Sequence, residues 1–311
     1  MHKIIYAGTP EFAVPALQAL LQSKHRVVAV YTQPDRPAGR GRKLQASPVK
    51  THALEHGLEV YQPENFDSAQ DIEALAALQA DLMVVAAYGL LLPPAVLAAP
   101  RLGCINIHAS LLPRWRGASP IQQAILAGDR DSGVTLMKMA RGLDSGDMIA
   151  RRSIEIEAQW SAGDLHDKLA PLGAELLMAT MADIETALQH AQVQDESLVT
   201  YAPRLVKQQA EVDWDKSLDL LLREIRAFNP WPVSYTTLEG QNLRLWRAQA
   251  GRLVTAGLPG EVVAHESDGI YVRCGDGIVQ VTELQFAGRN RCDAAQALNA
   301  RNLNGCRLGI A

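Results

Sequence analysis

Residues 103–117 read GCINIHASLLPRWRG, and the two polar side chains in the apolar run, Asn106 and His108, stand two positions apart. In a strand, residues i and i+2 project from one face, so both side chains converge on one point. An amide donor beside an imidazole suits a reaction in which negative charge collects on an oxygen while a proton moves. The same residues equally allow a hydrogen-bonded histidine near a strand end. Asp144, in MARGLDSGDMI, comes directly after the apolar run SGVTLMKMA. An aspartate before Ser-Gly often bonds only its own turn. One that faced His108 across neighbouring strand ends would orient the imidazole and favour its charged form. Asp147 is the rival, and Asp144 is preferred because it comes first after the strand.

Other motifs are weaker. Gly8, Thr9 and Pro10 follow the first strand pattern without G-x-G-x-x-G, which reads as a strand-to-helix turn more than a dinucleotide site. A backbone amide at that helix start could still meet a polar ligand group. PDRPAGRGRKL holds Arg36, Arg40, Arg42 and Lys43 among glycines. It reads as a solvated loop, or as a basic finger that orders on phosphate. FNPWP, at 228–232, reads as a packed turn. Cys104, Cys274, Cys292 and Cys306 form no C-x-x-C pair, so they read as small buried side chains in a reducing compartment. No His, Cys or Asp spacing points to a metal.

The elements that must position these groups follow from periodicity. KIIYA, HRVVAV, DLMVVAAY and CINIH are strand-like, with PEFAVPALQALLQ and SAQDIEALAALQA as helical stretches between them. Ser68 and Asp71 have capping-box spacing, with Ile72, Leu75 and Ala76 on one face of the helix that follows. This βαβα order predicts an α/β fold with a doubly wound, mainly parallel sheet, whose ligands gather outside the carboxyl ends of the strands. SAGDLHDKLAPLGAELLMATMADIETALQ is a second helical region that Pro171 should kink or divide. Residues 191–209 lack a period and read as a linker between a catalytic domain, 1–190, and a C-terminal domain, 210–311. After the amphipathic helix SLDLLLREIRAF come five short strands with EGQN, SDG and GDG turns, which predict a small OB-like barrel.

At 311 residues the chain is long enough for two cores, and its 48% hydrophobic and 21% charged composition is that of a globular protein. The net charge of −4 leaves any nucleic-acid partner to a local basic patch. MHKIIYAGTPEF enters a strand pattern at once, leaving no leader to expect, and no apolar run approaches the ~18 residues of a membrane span.

NIH at Asn106 to His108, SLLPRWRG from Ser110 to Gly117, and LDSGD from Leu143 together resemble the folate-dependent formyltransferases. AGTPEFA, RPAGRGRKL and RAFNPWP from Arg226 narrow the resemblance to members that act on a charged tRNA, and the match runs from Ile4 to about Phe286. The resemblance implies formyl transfer from 10-formyltetrahydrofolate to the α-amine of methionine on initiator tRNA, for translation initiation. It implies Asn106, His108 and Asp144 as the catalytic set. It implies that Ser110, Leu111, Leu112 and Pro113 bind folate, and that Tyr88, Gly89, Leu90 and Leu91, with the backbone leading to Asp144, form the pterin pocket. Arg42 falls in the loop such enzymes use on the tRNA acceptor end, with Arg36, Arg40 and Lys43 beside it. Arg204 and Lys207 are the basic residues at the core of the 191–209 stretch, and the barrel would hold the tRNA body. A cytoplasmic monomer without a metal is the accompanying expectation. One departure stands out, because residues 210–311 carry 11 Lys plus Arg against 12 Asp plus Glu. Transfer to a small amine, release of formate by water, and a non-catalytic RNA-binding role are the alternatives.

Overall fold

The computed structural model describes residues 1–38, 43–252 and 256–310. These divide into two compact units, the first made of Met1–Pro120, Asp131–Glu155 and His166–Ala202. The second is made of Ile121–Arg130, Ile156–Leu165 and Pro203–Ala311. Two stretches inside the expected 1–190 domain therefore fall in the second unit. The boundary also departs from a linker at 191–209, since residues up to Ala202 pack in the first unit.

The first unit is built on a seven-stranded sheet. Its spatial order is Met148–Glu155, Asp131–Lys138, Cys104–His108, Leu82–Ala86, Lys3–Gly8, Arg26–Tyr31 and Val60–Tyr61. The five strands from Cys104–His108 to Val60–Tyr61 are parallel, Asp131–Lys138 runs antiparallel to them, and Met148–Glu155 pairs antiparallel with Asp131–Lys138. Leu82–Ala86 is buried at every residue, as a strand covered on both faces must be, which explains its unbroken apolar sequence. The edge strand Met148–Glu155 instead carries Arg151 and Arg152, charges that discourage pairing with another chain. Strand order reverses between Lys3–Gly8 and Leu82–Ala86, so the loops after these two strands flank a ligand crevice.

Two glycines permit the close layers. A Cβ on Gly8 would stand 2.6 Å from the Ala13 Cβ and 2.9 Å from the Ala86 carbonyl oxygen. A Cβ on Gly173 would stand 2.8 Å from the Ile107 Cγ2, so the helix over the sheet presses directly on the strand that carries Asn106 and His108. That helix, Ala162–Met181, runs unbroken through Pro171. Of the two outcomes expected at Pro171, a kink or a division, the division does not occur, because packing against the sheet outweighs the local cost of a proline. Ser68 caps the helix Ala69–Ala77 through the Gln70 amide, with Leu75 buried but Ala76 exposed.

In the second unit the expected short strands form one antiparallel sheet. Its order is Ser234–Leu238, Gln241–Ala250, Ile278–Phe286, Gly269–Arg273 and Val262–Glu266, with Cys292–Asp293 also paired to Ile278–Phe286. The helix Leu218–Ala227, capped by Ser217 at the Leu220 amide, buries Leu221 and Ile225. They join a core with Trp214, Leu245, Val272 and Val281. Asn229, within FNPWP, is buried and donates to the Trp246 carbonyl at 2.8 Å, so this segment is a packed turn, although Trp231 stays exposed.

Candidate active site

Cys104–His108 ends at the carboxyl edge of the parallel sheet, with Asn106 and His108 two residues apart and on one face. His108 is buried, and its Nε2 stands 2.9 Å from the Trp115 carbonyl oxygen. A carbonyl only accepts, so Nε2 carries the hydrogen and Nδ1 is the nitrogen left to gain or lose a proton. Nδ1 lies 3.6 Å from the Asp144 Oδ2. The same Asp144 oxygen accepts the Gly117 N–H at 2.8 Å. Trp115 and Asp144 both have positive φ, 65° and 45°, a left-handed conformation that costs a non-glycine residue about 1–2 kcal/mol. The backbone thus pays locally for aiming one carbonyl and one carboxylate at the same imidazole.

Asn106 is half-buried, and its side-chain amide makes no hydrogen bond among the described residues. It is a donor on the His108 side of the strand with its capacity unspent. Asp147 points elsewhere, with its carboxylate 3.5 Å from the Lys138 Nζ. Of the two aspartates in LDSGD, Asp144 is the one that faces His108.

The stretch after the strand is held rigid from behind. Ser110 is buried, donates its hydroxyl to the Arg114 carbonyl at 2.6 Å, and offers its own carbonyl to the Thr135 hydroxyl. Thr135 in turn accepts the Leu112 N–H at 3.1 Å. The Leu112 side chain lies in a small core with Met137 and Met148, and its carbonyl accepts from Arg151 at 3.0 Å. Pro113 is buried after a cis peptide bond, and Leu111 is half-buried. Ser110 and Leu112 thus shape the loop through their burial, and their side chains are not presented to a ligand.

The loop after Leu82–Ala86 also splits by side chain. Tyr88 is only 2% exposed, its ring sits in the core with Ile5, Tyr31 and Val85, and burial holds its phenol well above the ordinary range. Its carbonyl accepts from the Thr9 hydroxyl at 2.9 Å and the Gln33 amide at 3.2 Å. The Gly-Thr-Pro turn therefore fastens this loop. Gly89 has φ of 82°, Leu90 packs partly on the core, and Leu91 stands 90% exposed. Since Val85 pairs with Asn106, this apolar, exposed loop leaves the sheet beside the strand that carries Asn106.

Of the basic residues, Arg36 and Lys43 are exposed on the short pair Arg36–Ala38 and Lys43–Gln45, with Arg36 donating to Gln33 at 2.6 Å. Arg40 and Arg42 lie outside the described residues. Arg204 and Lys207 are exposed in the second unit. Among the described residues, no group of three or more His, Cys, Asp or Glu side chains is arranged to hold a metal ion. Two buried residues escaped the sequence reading. Arg116, 3% exposed, donates to Gln194 and Glu196, and Gln194, 4% exposed, donates to the backbone of the Asp144 loop. Arg116 was visible in the sequence as part of a polar loop, but Gln194 carried no pattern.

Comparison with known proteins is consistent along the whole chain. A family model described as formyl transferase matches residues 2–181, and one described as formyl transferase, C-terminal domain, matches residues 204–302. The methionyl-tRNA formyltransferase of Methylococcus capsulatus is 52% identical over 307 residues, covering 99% of each chain. That of Hydrogenovibrio crunogenus is 50% identical, covering 99% of this chain and 98% of the relative. Among solved structures, an N-formyltransferase from Helicobacter canadensis, in complex with folinic acid and dTDP-3-aminofucose, superposes with a TM-score of 0.64. It is 18% identical, with 93% of this chain and 100% of that one covered, a likeness of fold.

Proposed function

The chain belongs to the formyl transferase family, and from that premise we propose how its residues divide the reaction. It transfers the formyl group of 10-formyltetrahydrofolate to the α-amine of methionyl initiator tRNA. The folate supplies a formyl group already activated on its N10. Asn106 donates its free amide to the formyl oxygen, where negative charge collects as the amine attacks. His108, fixed by the Trp115 carbonyl with its Nδ1 turned to Asp144, stands next to that oxygen. Asp144, steadied by the Gly117 amide, takes the proton that the amine loses. The His108–Asp144 pair then hands a proton to the departing nitrogen.

The observation that carries this reading is the unspent amide of Asn106 on the strand face of an imidazole locked between Trp115 and Asp144. Leu90, Leu91 and Leu111 offer apolar surface for the folate ring system. Ser110, Leu112, Pro113, Tyr88 and Gly89 act through the shape of the two loops. Arg36, Arg40, Arg42 and Lys43 take the acceptor end of the tRNA, with Arg204 and Lys207 as further contacts, and the chain works as a cytoplasmic monomer. The test is single-turnover transfer of labelled formyl to methionyl initiator tRNA by the intact chain and by Asn106→Ala. Loss of one oxyanion donor should slow transfer by about a hundred- to a thousandfold with folding intact. A rate within about threefold of the intact chain would remove Asn106 from the reaction.

A further inference from the structure

Between the helix Ile184–Gln189 and the second unit, the chain runs back over the loops of the candidate active site. The Gln192 backbone bonds with Met148, the Thr200 hydroxyl accepts the Trp115 N–H at 2.9 Å, and the Thr200 carbonyl accepts the Arg116 N–H at 2.9 Å. Tyr201–Ala202 then pairs in parallel with Arg116–Gly117. This strap therefore touches both the loop that orients His108, through Trp115, and the segment that supplies the Gly117 amide to Asp144.

At its start lies Gln194, whose amide is fully committed. Its Nε2 donates to the Asp144 carbonyl at 2.8 Å and to the Gly146 carbonyl at 2.7 Å. Its Oε1 accepts from the Arg116 Nε at 2.9 Å. The buried Arg116 guanidinium is anchored in turn by the Glu196 carboxylate, at 2.8 Å and 3.3 Å, two residues further along the strap. Only a side chain that both donates twice and accepts once satisfies this position. The residue it grips, Asp144, has φ of 45°, a conformation a non-glycine residue holds only when its surroundings enforce it. The next glycine, Gly146, lies where a Cβ would run into the Lys138 carbonyl, so the loop has a single snug path.

We infer that Gln194 is a positioning residue for the reaction. Its amide clamps the backbone on both sides of Ser145 and thereby keeps the Asp144 carboxylate facing His108. This rests on the reading of Asp144 as the group that takes the amine proton. A clamp of this kind acts on the chemical step more than on substrate affinity, because its bonds fall on the Asp144 and Gly146 carbonyls, beyond the backbone leading to Asp144 that the resemblance assigns to the pterin pocket. Misplacement of a reacting group by about 1 Å can cost a hundredfold in rate.

The test is a double-mutant cycle on the full chain, measuring kcat and KM for both substrates with thermal melts alongside. Gln194→Met removes the amide at similar volume. Gln194→Glu keeps an acceptor for Arg116 but cannot donate to the two carbonyls. Both should lower kcat by about ten- to a hundredfold and leave each KM within about threefold. In a chain that already carries Asp144→Asn, the same substitutions should cost less than about twofold more, because they act through the group already removed. An equal proportional loss in both backgrounds would mean a general structural role and overturn the inference. So would full activity in Gln194→Met, a loss confined to KM, or failure of both Gln194 variants to fold. Asp144→Asn alone judges the underlying reading. If it keeps near-normal turnover, the catalytic role of Asp144 fails. If it is inactive while Gln194→Met is not, that role stands and the clamp falls.

Discussion

The proposed chemistry rests on three side chains in three different states of commitment. His108 is fully specified, with one ring nitrogen bound to a carbonyl and the other facing a carboxylate. Asp144 shares one oxygen between that imidazole and a backbone amide. Asn106 is uncommitted among the described residues, as the proposed donor to a developing charge should be. The two aspartates of LDSGD make a controlled comparison, since among the described residues the Asp147 side chain pairs with Lys138 and not with His108. Asp144→Asn should lower kcat by about a hundredfold or more. Asp147→Asn should stay within about threefold, because an exposed ion pair contributes little. Comparable losses in the two variants, measured by steady-state transfer, would mean that facing His108 is not what matters.

At the scale of elements, the site is a meeting of strand ends held by loops that cannot relax. Gly146 is the clearest case, because a side chain there would collide with the Lys138 carbonyl at the end of the neighbouring strand. Gly146→Ala should therefore displace the Asp144 loop and lower kcat by about tenfold or more, with a stability loss of about 1–3 kcal/mol. Denaturant unfolding and transfer rates on the same preparation check both, and an unchanged kcat would show that the loop tolerates the shift. Much of this frame was legible in the sequence. The buried strands announce themselves as apolar runs, and the Asn-x-His spacing is enough to put both groups on one face. The strap from Gln192 to Ala202 was not legible, because its hydrogen-bond partners lie about 45 to 85 residues away and impose no period on it. For the same reason it looked like a linker. Tyr88 was read as part of a ligand loop, yet its ring turns into the core and only its carbonyl serves the loop. The assignment of Ile121–Arg130 and Ile156–Leu165 to the second unit was equally invisible, since sequence order suggests contiguous domains.

For the whole molecule, stability and substrate capture are separate electrostatic problems. His265 lies buried in the second unit with Nε2 donating to the Ala294 carbonyl and Nδ1 accepting the Leu303 N–H, an arrangement that requires a neutral ring. Burial lowers its pKa below the ordinary 6.5, and His25 and His52 shift the same way, chiefly for the same reason. These three rings therefore bind more protons in the unfolded chain than in the folded one, so their contribution to stability falls as the pH drops through about 6.5. Thermal melts should show a lower Tm at about pH 5.5 than at about pH 7.5, with a smaller difference in His265→Gln. A Tm that rises on acidification contradicts this. Capture of tRNA is the harder problem for a chain of net charge −4 whose residues 210–311 hold slightly more acidic than basic groups. The transfer itself must therefore be shown to depend on the charged tRNA. The most direct measurement offers labelled 10-formyltetrahydrofolate to the intact chain with methionyl initiator tRNA, uncharged tRNA or free methionine, and follows formate release in parallel. Label on the methionyl-tRNA alone is the expected result. Label released as formate, or carried equally well by free methionine, would contradict it.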